Sequence, residues 1–67
     1  MEELASIIGA IINRRSAMGI SQRDLAALCH LPQSSVARME SMKSKPNLST
    51  LLKVMKPLGL KLQVSSV

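Results

Sequence analysis

The stretch from Ser21 to Glu40, SQRDLAALCHLPQSSVARME, constrains the fold more than any other part of this 67-residue chain. It reads as two short helices joined by a tight turn. Ser21 stands at an N-cap position, where its hydroxyl can accept from the first unpaired helical N–H groups. Asp24 can answer the cap's own N–H and suits the positive end of the helix dipole. The first of the two helices then spans Gln22 to about Cys29, with Leu25, Leu28 and Cys29 on one face and Ala26 and Ala27 between them. The second runs from about Pro32 or Gln33 to Ser41. Pro32 suits a first helical position, where its missing N–H is not needed. Val36 and Met39 point one way, which leaves Gln33, Ser34, Ser35 and Arg38 for the other face.

That leftover face is the functional clue. A helix buried on one side commonly carries Lys and Glu on the other. This one carries an amide, two hydroxyls and a guanidinium. Gln can bond adenine in a bidentate way, Arg can do so with guanine, and Ser serves either a base or a phosphate. The alternative is a solvated polar face that binds nothing.

Composition narrows the choice. Nine Lys and Arg against four Asp and Glu give a net charge of +5, and the sequence pI is about 10.2. A small electropositive domain implies a polyanionic partner. The chain is 46% hydrophobic with no aromatic residue, so its core must be Leu, Ile, Val, Met and Ala throughout. Chains below about 70–80 residues have marginal single cores, for which oligomerisation is a common remedy. Cys29 is the only cysteine, which excludes an intrachain disulfide and a Cys-rich zinc site. His30 beside it points about 100° away on a helix, and no further ligand set is visible, so Cys29 reads as a small buried hydrophobe and no metal or cofactor is expected. One His, no Tyr and no paired acids leave no catalytic constellation, so the chain does not read as an enzyme. Glu2 and Glu3 open the chain where a signal peptide carries positive charge, and no apolar run approaches the roughly 20 residues needed to span a bilayer. A cytoplasmic, reducing location is expected.

Around the central stretch the chain is helical. Met1 to Met18 forms a helix with Leu4, Ile7, Ile8, Ile11 and Ile12 as its apolar stripe. Gly19 can close it in a left-handed conformation. The Ile face is needed for the core, which argues against membrane binding. Arg15 lies on the side of Ile8, Ile11 and Ile12, an odd place for a charge. Lys43 to Asn47 is a polar loop, and Asn47 or Ser49 can cap a further helix from about Leu48 to Leu58, with Leu48, Leu51, Leu52 and Met55 as its stripe. Pro57 limits that helix and Gly59 can stop it. After Gly59 the period changes. Leu60, Leu62 and Val64 alternate with Lys61, Gln63 and Ser65, a strand pattern without a partner in this chain. It is either a frayed tail or a strand that pairs with its copy across a twofold axis.

Gln22, Leu25, Ala26, Gln33, Ser34, Val36, Arg38 and Glu40 resemble, in order and spacing, the motif of the lambda-repressor-like (Cro/cI, XRE-type) helix-turn-helix regulators. Gly19-Ile20-Ser21 is similar to the family's entry into the motif, and Pro46 with the apolar run from Leu48 is similar to its fourth helix. The resemblance covers roughly Leu4 to Leu60. Two positions depart from it. His30 stands where the inter-helix turn usually carries Gly, and Met42 stands where Gly often follows the recognition helix.

The resemblance implies an all-α bundle of four to five short helices with a short C-terminal β-strand. Residues 1–59 would form the DNA-binding domain and 60–67 a strand or tail for dimerisation. The implied function is a transcriptional regulator that binds double-stranded DNA as a homodimer on a near-palindromic operator. Gln33, Ser34 and Arg38 would reach base edges, with Ser35 beside them. Gln22 would clamp a phosphate, with Arg23, Lys43, Lys45 and Asn47 as further phosphate contacts. Arg15 would pair with Glu40, tying the first helix to the third. Two other classes stay open. One is an antitoxin-type interaction module that neutralises a toxin partner and shares this domain. The other is a helical enzyme subunit or structural protein that uses the fold without DNA.

Overall fold

The computed structural model describes residues 2–66. Its helices are α1 (Glu2–Ala17), α2 (Gln22–Cys29), α3 (Gln33–Glu40) and α4 (Leu48–Met55), and a single 3-10 turn, Lys56–Leu58, follows α4. Met1, expected to begin the first helix, lies outside the described residues. The core gathers Leu4, Ile8 and Ile11 from α1, Leu25, Ala26 and Cys29 from α2, and Val36 and Met39 from α3. Leu51, Val54, Met55 and Leu58 complete it. Ile7 and Ile12 pack at its margin.

Three leucines expected on the buried stripes lie outside. Leu28, Leu48 and Leu52 are 55%, 60% and 47% exposed, while Ala26 and Val54 are buried. On α4 two adjacent stripes compete: Leu48 with Leu52, and Leu51 with Met55. Packing against α2 turns the second inward, because Val54 and Leu58 extend it at helical spacing and Lys53 and Lys56 would otherwise be drawn toward the core.

Each helical segment closes in the same way. The residue just past the end adopts a left-handed conformation: Gly19 at φ 71°, His30 at 58°, Met42 at 62° and Gly59 at 71°. In each case a pair of reverse hydrogen bonds satisfies the last carbonyls. After α1 they run from Gly19 N to Ser16 O at 3.0 Å and from Ile20 N to Arg15 O at 3.3 Å. After α3 they run from Met42 N to Met39 O at 3.1 Å and from Lys43 N to Arg38 O at 2.9 Å. This is the Schellman arrangement, whose following residue commonly packs back on the helix. Ile20, Leu31 and Leu60 take that place after the other segments, and each packs against the core. Lys43 takes it after α3 and is exposed.

Starts are set by side chains or by proline. Ser21 caps α2, and Asn47 caps α4 by accepting from Thr50 N at 2.8 Å. Pro32 sits one position earlier than expected. It is extended, at φ −63° and ψ 145°, and precedes α3 rather than opening it. Pro57 has no N–H to give the carbonyl four residues back, and from Lys56 the expected long helix tightens into a 3-10 turn. Arg14 Nε donates to Leu58 O at 2.9 Å, fastening the end of α1 to this turn.

The expected C-terminal strand does not form. Residues 61–66 have no regular secondary structure, and there is no strand among the described residues. A strand needs a ladder, and the helices of one chain present no extended edge to complete it. Leu60 packs on its own core, and Leu62 and Val64 are exposed.

A side chain in the left-handed region costs about 1–2 kcal/mol, and glycine's extra freedom in the unfolded chain offsets about 0.5–1 of it. Met42 is 44% exposed, so its side chain contributes little packing. Met42→Gly should therefore raise stability by about 0.5–1 kcal/mol. A urea melt would register this as a higher midpoint at constant slope, and an unchanged or lower midpoint would show that the turn carries no strain.

Candidate nucleic-acid interface

The polar face of α3 is set by its two buried residues. Val36 and Met39 are 1% and 2% exposed, which turns Gln33, Ser34, Ser35 and Arg38 outward. The N-terminus of α2 is organised by a reciprocal cap. Asp24 N donates to Ser21 Oγ at 3.0 Å, and Ser21 N donates to Asp24 Oδ2 at 3.0 Å. The Ser21 backbone N–H holds the Asp24 carboxyl below its ordinary value, with help from the Ser21 hydroxyl. This carboxylate is occupied by its cap.

Glu40, at the end of α3, is the other acid near the face, and it too is engaged. Its Oε2 accepts from Arg15 Nε at 2.7 Å, and its Oε1 accepts from Arg15 Nη2 at 2.9 Å and from Gln22 Nε2 at 2.9 Å. Arg15 also donates from Nη1 to Ile20 O at 2.9 Å. The Glu40 and Arg15 side chains are only 5% and 15% exposed. Hydrogen bonding to Glu40 raises the Arg15 guanidinium above its ordinary value, against the opposing effect of burial. One carboxylate thus joins α1, α2 and α3. The Gln22 contact is absent from the sequence reading, which assigned that side chain to a phosphate. One amide N–H of Gln22 is committed to Glu40. Its amide oxygen, its second amide hydrogen and its backbone N–H at the start of α2 are not spent by that bond.

A shallow open groove of about 370 Å³ lies between α3 and the start of α4. Ser35 and Arg38 line it from one side, and Lys45 and Asn47 from the other. The structure therefore brings two of the base-reading candidates together with two of the phosphate candidates. Ser44 and Thr50 also line this groove and were missed in the sequence, where neither stands in a motif. Asn47 spends its Oδ1 on the α4 cap, which leaves its Nδ2 for a ligand. Gln33, Ser34 and Lys43 are exposed but do not line the groove, and Arg23 is exposed on the first turn of α2.

Among the described residues no three His, Cys, Asp or Glu side chains are placed to hold a metal ion. Cys29 is buried, and desolvation pushes its thiol up. No described helix is long and apolar enough to cross a membrane.

Two short helices meeting through a left-handed turn, the second with a polar outer face and both braced by a long first helix, define a helix-turn-helix unit. The helix-turn-helix family model matches residues 11–64, and the chain belongs to that family. It is also 39% identical over 59 residues to a protein of Haemophilus influenzae described as an uncharacterized HTH-type transcriptional regulator. That alignment covers 88% of this chain and 60% of the relative, so the chain spans well under the relative's full length. No solved structure matches.

Removing one member of a fully buried pair leaves an uncompensated charge, which costs about 3–5 kcal/mol. This pair is partly buried, so Arg15→Ala and Glu40→Ala should each destabilise the fold by less than that limit. Together they should cost less than the sum of the single losses, because the second removal relieves the charge stranded by the first. A double-mutant cycle read by denaturant unfolding would decide it, and strictly additive losses would show that the two side chains do not act as a pair.

Proposed function

We propose that this chain is a sequence-specific double-stranded DNA-binding transcriptional regulator, with a binding rather than a catalytic role in the cytoplasm. The observation that carries this reading is the outer face of α3. Gln33, Ser34, Ser35 and Arg38 stand exposed together, the basic loop from Lys43 to Lys45 follows them, and both nearby acids are engaged in internal contacts. Family membership and the relative's description point the same way.

In the proposed mechanism α3 enters the major groove. Gln33, Ser34 and Arg38 address base edges with Ser35 beside them, and these contacts provide specificity. Arg23, Lys43, Lys45 and the Asn47 amide address phosphates. Gln22 joins them through its backbone N–H at the start of α2, while Glu40 holds its side chain in one orientation. Phosphate contacts set the register and supply most of the salt-dependent affinity.

The regulator acts as a homodimer on a near-palindromic operator, with half-sites about 34–36 Å apart. Residues 1–59 form the DNA-binding unit, and the segment from Leu60 onward pairs with its copy across a twofold axis. Leu62 and Val64 are 36% and 100% exposed, so they have apolar area to bury between copies. Leu60 has less to offer because it already packs on its own core.

Gln33→Ala should cost about 1–3 kcal/mol on the preferred site and relax preference at one base position. Lys45→Ala should weaken all sequences alike and lower the salt slope by about one. Binding-site selection followed by salt titrations separates the two. An unchanged sequence preference in the Gln33 variant would remove that residue from base reading.

Burying a side chain of this size is worth about 1.5–3 kcal/mol, so introducing a carboxylate at one of these positions should break the pairing. Leu62→Asp should convert a concentration-dependent dimer into a monomer that keeps its helical spectrum but binds the full operator poorly. Sedimentation over a concentration series is the check. If the unaltered chain is a monomer at tens of micromolar, roughly the range a weak dimer should populate, the tail is not a dimer interface.

A further inference from the structure

We propose that the groove between the C-terminal end of α2 and the end of α4 docks an acidic amphipathic helix of a partner protein. The groove measures about 510 Å³. Leu28, His30, Lys53, Lys56 and Pro57 form its walls, and the buried Cys29 lies at its floor. Lys56 also lines, with Leu52, an adjoining groove whose far side is formed by Leu60 and Leu62 of the proposed dimer tail. Leu28 and Leu52 are 55% and 47% exposed although their spacing belongs to apolar stripes. They are leucines that the core does not use. None of these residues lines the groove of Ser35, Arg38, Lys45 and Asn47, so this face is distinct from the proposed DNA face.

Charge selects the occupant. Lys53 and Lys56 flank the leucines, and Lys61 stands beside Leu52 and Lys56 in the adjoining groove. Neither groove is lined by an acidic residue, and Asp24 and Glu40 are engaged in the α2 cap and in the ion pair. A second copy presenting the same face would set lysine against lysine. The phosphate backbone of DNA would satisfy the lysines but leave the leucines in water. A segment with apolar side chains along one stripe and carboxylates beside it satisfies both. A helix fits better than an extended peptide, because the groove is walled by helices and offers no strand edge for a backbone ladder.

Nuclear magnetic resonance on the intact, isotope-labelled chain tests this with defined probes. One is an alanine-based helical peptide with Leu at positions i, i+3, i+4 and i+7 and Glu on both flanks. The second is the same peptide with Lys for Glu. The third is a DNA duplex. The Glu peptide should shift the amides of Leu28, Leu52, Lys53 and Lys56. Lys53→Glu with Lys56→Glu, both at exposed positions, should weaken that binding about threefold to tenfold without altering the helical spectrum or duplex binding. No shift at these amides, equal binding of the Lys peptide, or the same amides responding to the duplex would each overturn the proposal. So would a concentration-dependent dimer abolished by Leu28→Ser, which would assign the face to a second copy. The duplex titration reads DNA binding separately, so one proposal can fail while the other stands.

Discussion

The Glu40 carboxylate is the interaction on which the rest of the arrangement depends. A carboxylate this deeply buried is tolerated only when its lone pairs are matched by donors, and here three N–H groups from Arg15 and Gln22 supply them. The aliphatic core selects which faces turn inward, and the polar network adds a directional constraint to it. Burial of Leu, Ile, Val and Met is non-directional, and no aromatic ring adds shape. A bidentate guanidinium–carboxylate pair is directional in distance and plane. It sets the end of α3 against α1, and the Gln22 amide extends the same constraint to the start of α2. Burial of Val36 and Met39 turns the outer face of α3 to solvent, and the network fixes the end of that helix against its neighbours.

The helix endings divide the chain into parts that are anchored and a part that is not. The same left-handed closure recurs after each helical segment, and Ile20, Leu31 and Leu60 then turn the chain back into the core. After α3 the corresponding residue is Lys43, which stays in solvent. The loop that follows is therefore shaped by Pro46 and the Asn47 cap rather than by burial. It borders the groove beneath Ser35 and Arg38. Met42, a poor residue for its conformation, sits at this junction between the packed body and the polar loop.

Basic residues serve separate purposes. Arg14 and Arg15 are spent on contacts within the chain, to the Leu58 carbonyl and to Glu40. Arg23, Arg38, Lys43 and Lys45 surround the α3 face, whereas Lys53, Lys56 and Lys61 surround exposed leucines on α4. A net charge of +5 thus describes two surfaces of different character. One is polar and suits a groove lined with phosphates and base edges. The other is apolar between its charges and suits a carboxylate-bearing helix.

The helices of the central stretch, the capping Ser21 and the outward set Gln33, Ser34, Ser35 and Arg38 were legible in the sequence. Each follows from local rules of spacing, capping and proline geometry. The Arg15–Glu40 contact was suggested by resemblance and by the odd position of a charge on an apolar face. Other features needed the tertiary structure. Leu48 and Leu52 compete with Leu51 and Met55 for the inward side of α4, and packing against α2 favours the pair that Val54 and Leu58 extend. Gln22 meets Glu40 across eighteen residues of sequence separation, a contact that no local pattern encodes. The alternating residues after Gly59 satisfy the strand period, but a ladder requires a second edge, and the described residues offer none. Local chemistry therefore determined where the helices begin and end, while the choice among competing apolar faces fell to their mutual packing.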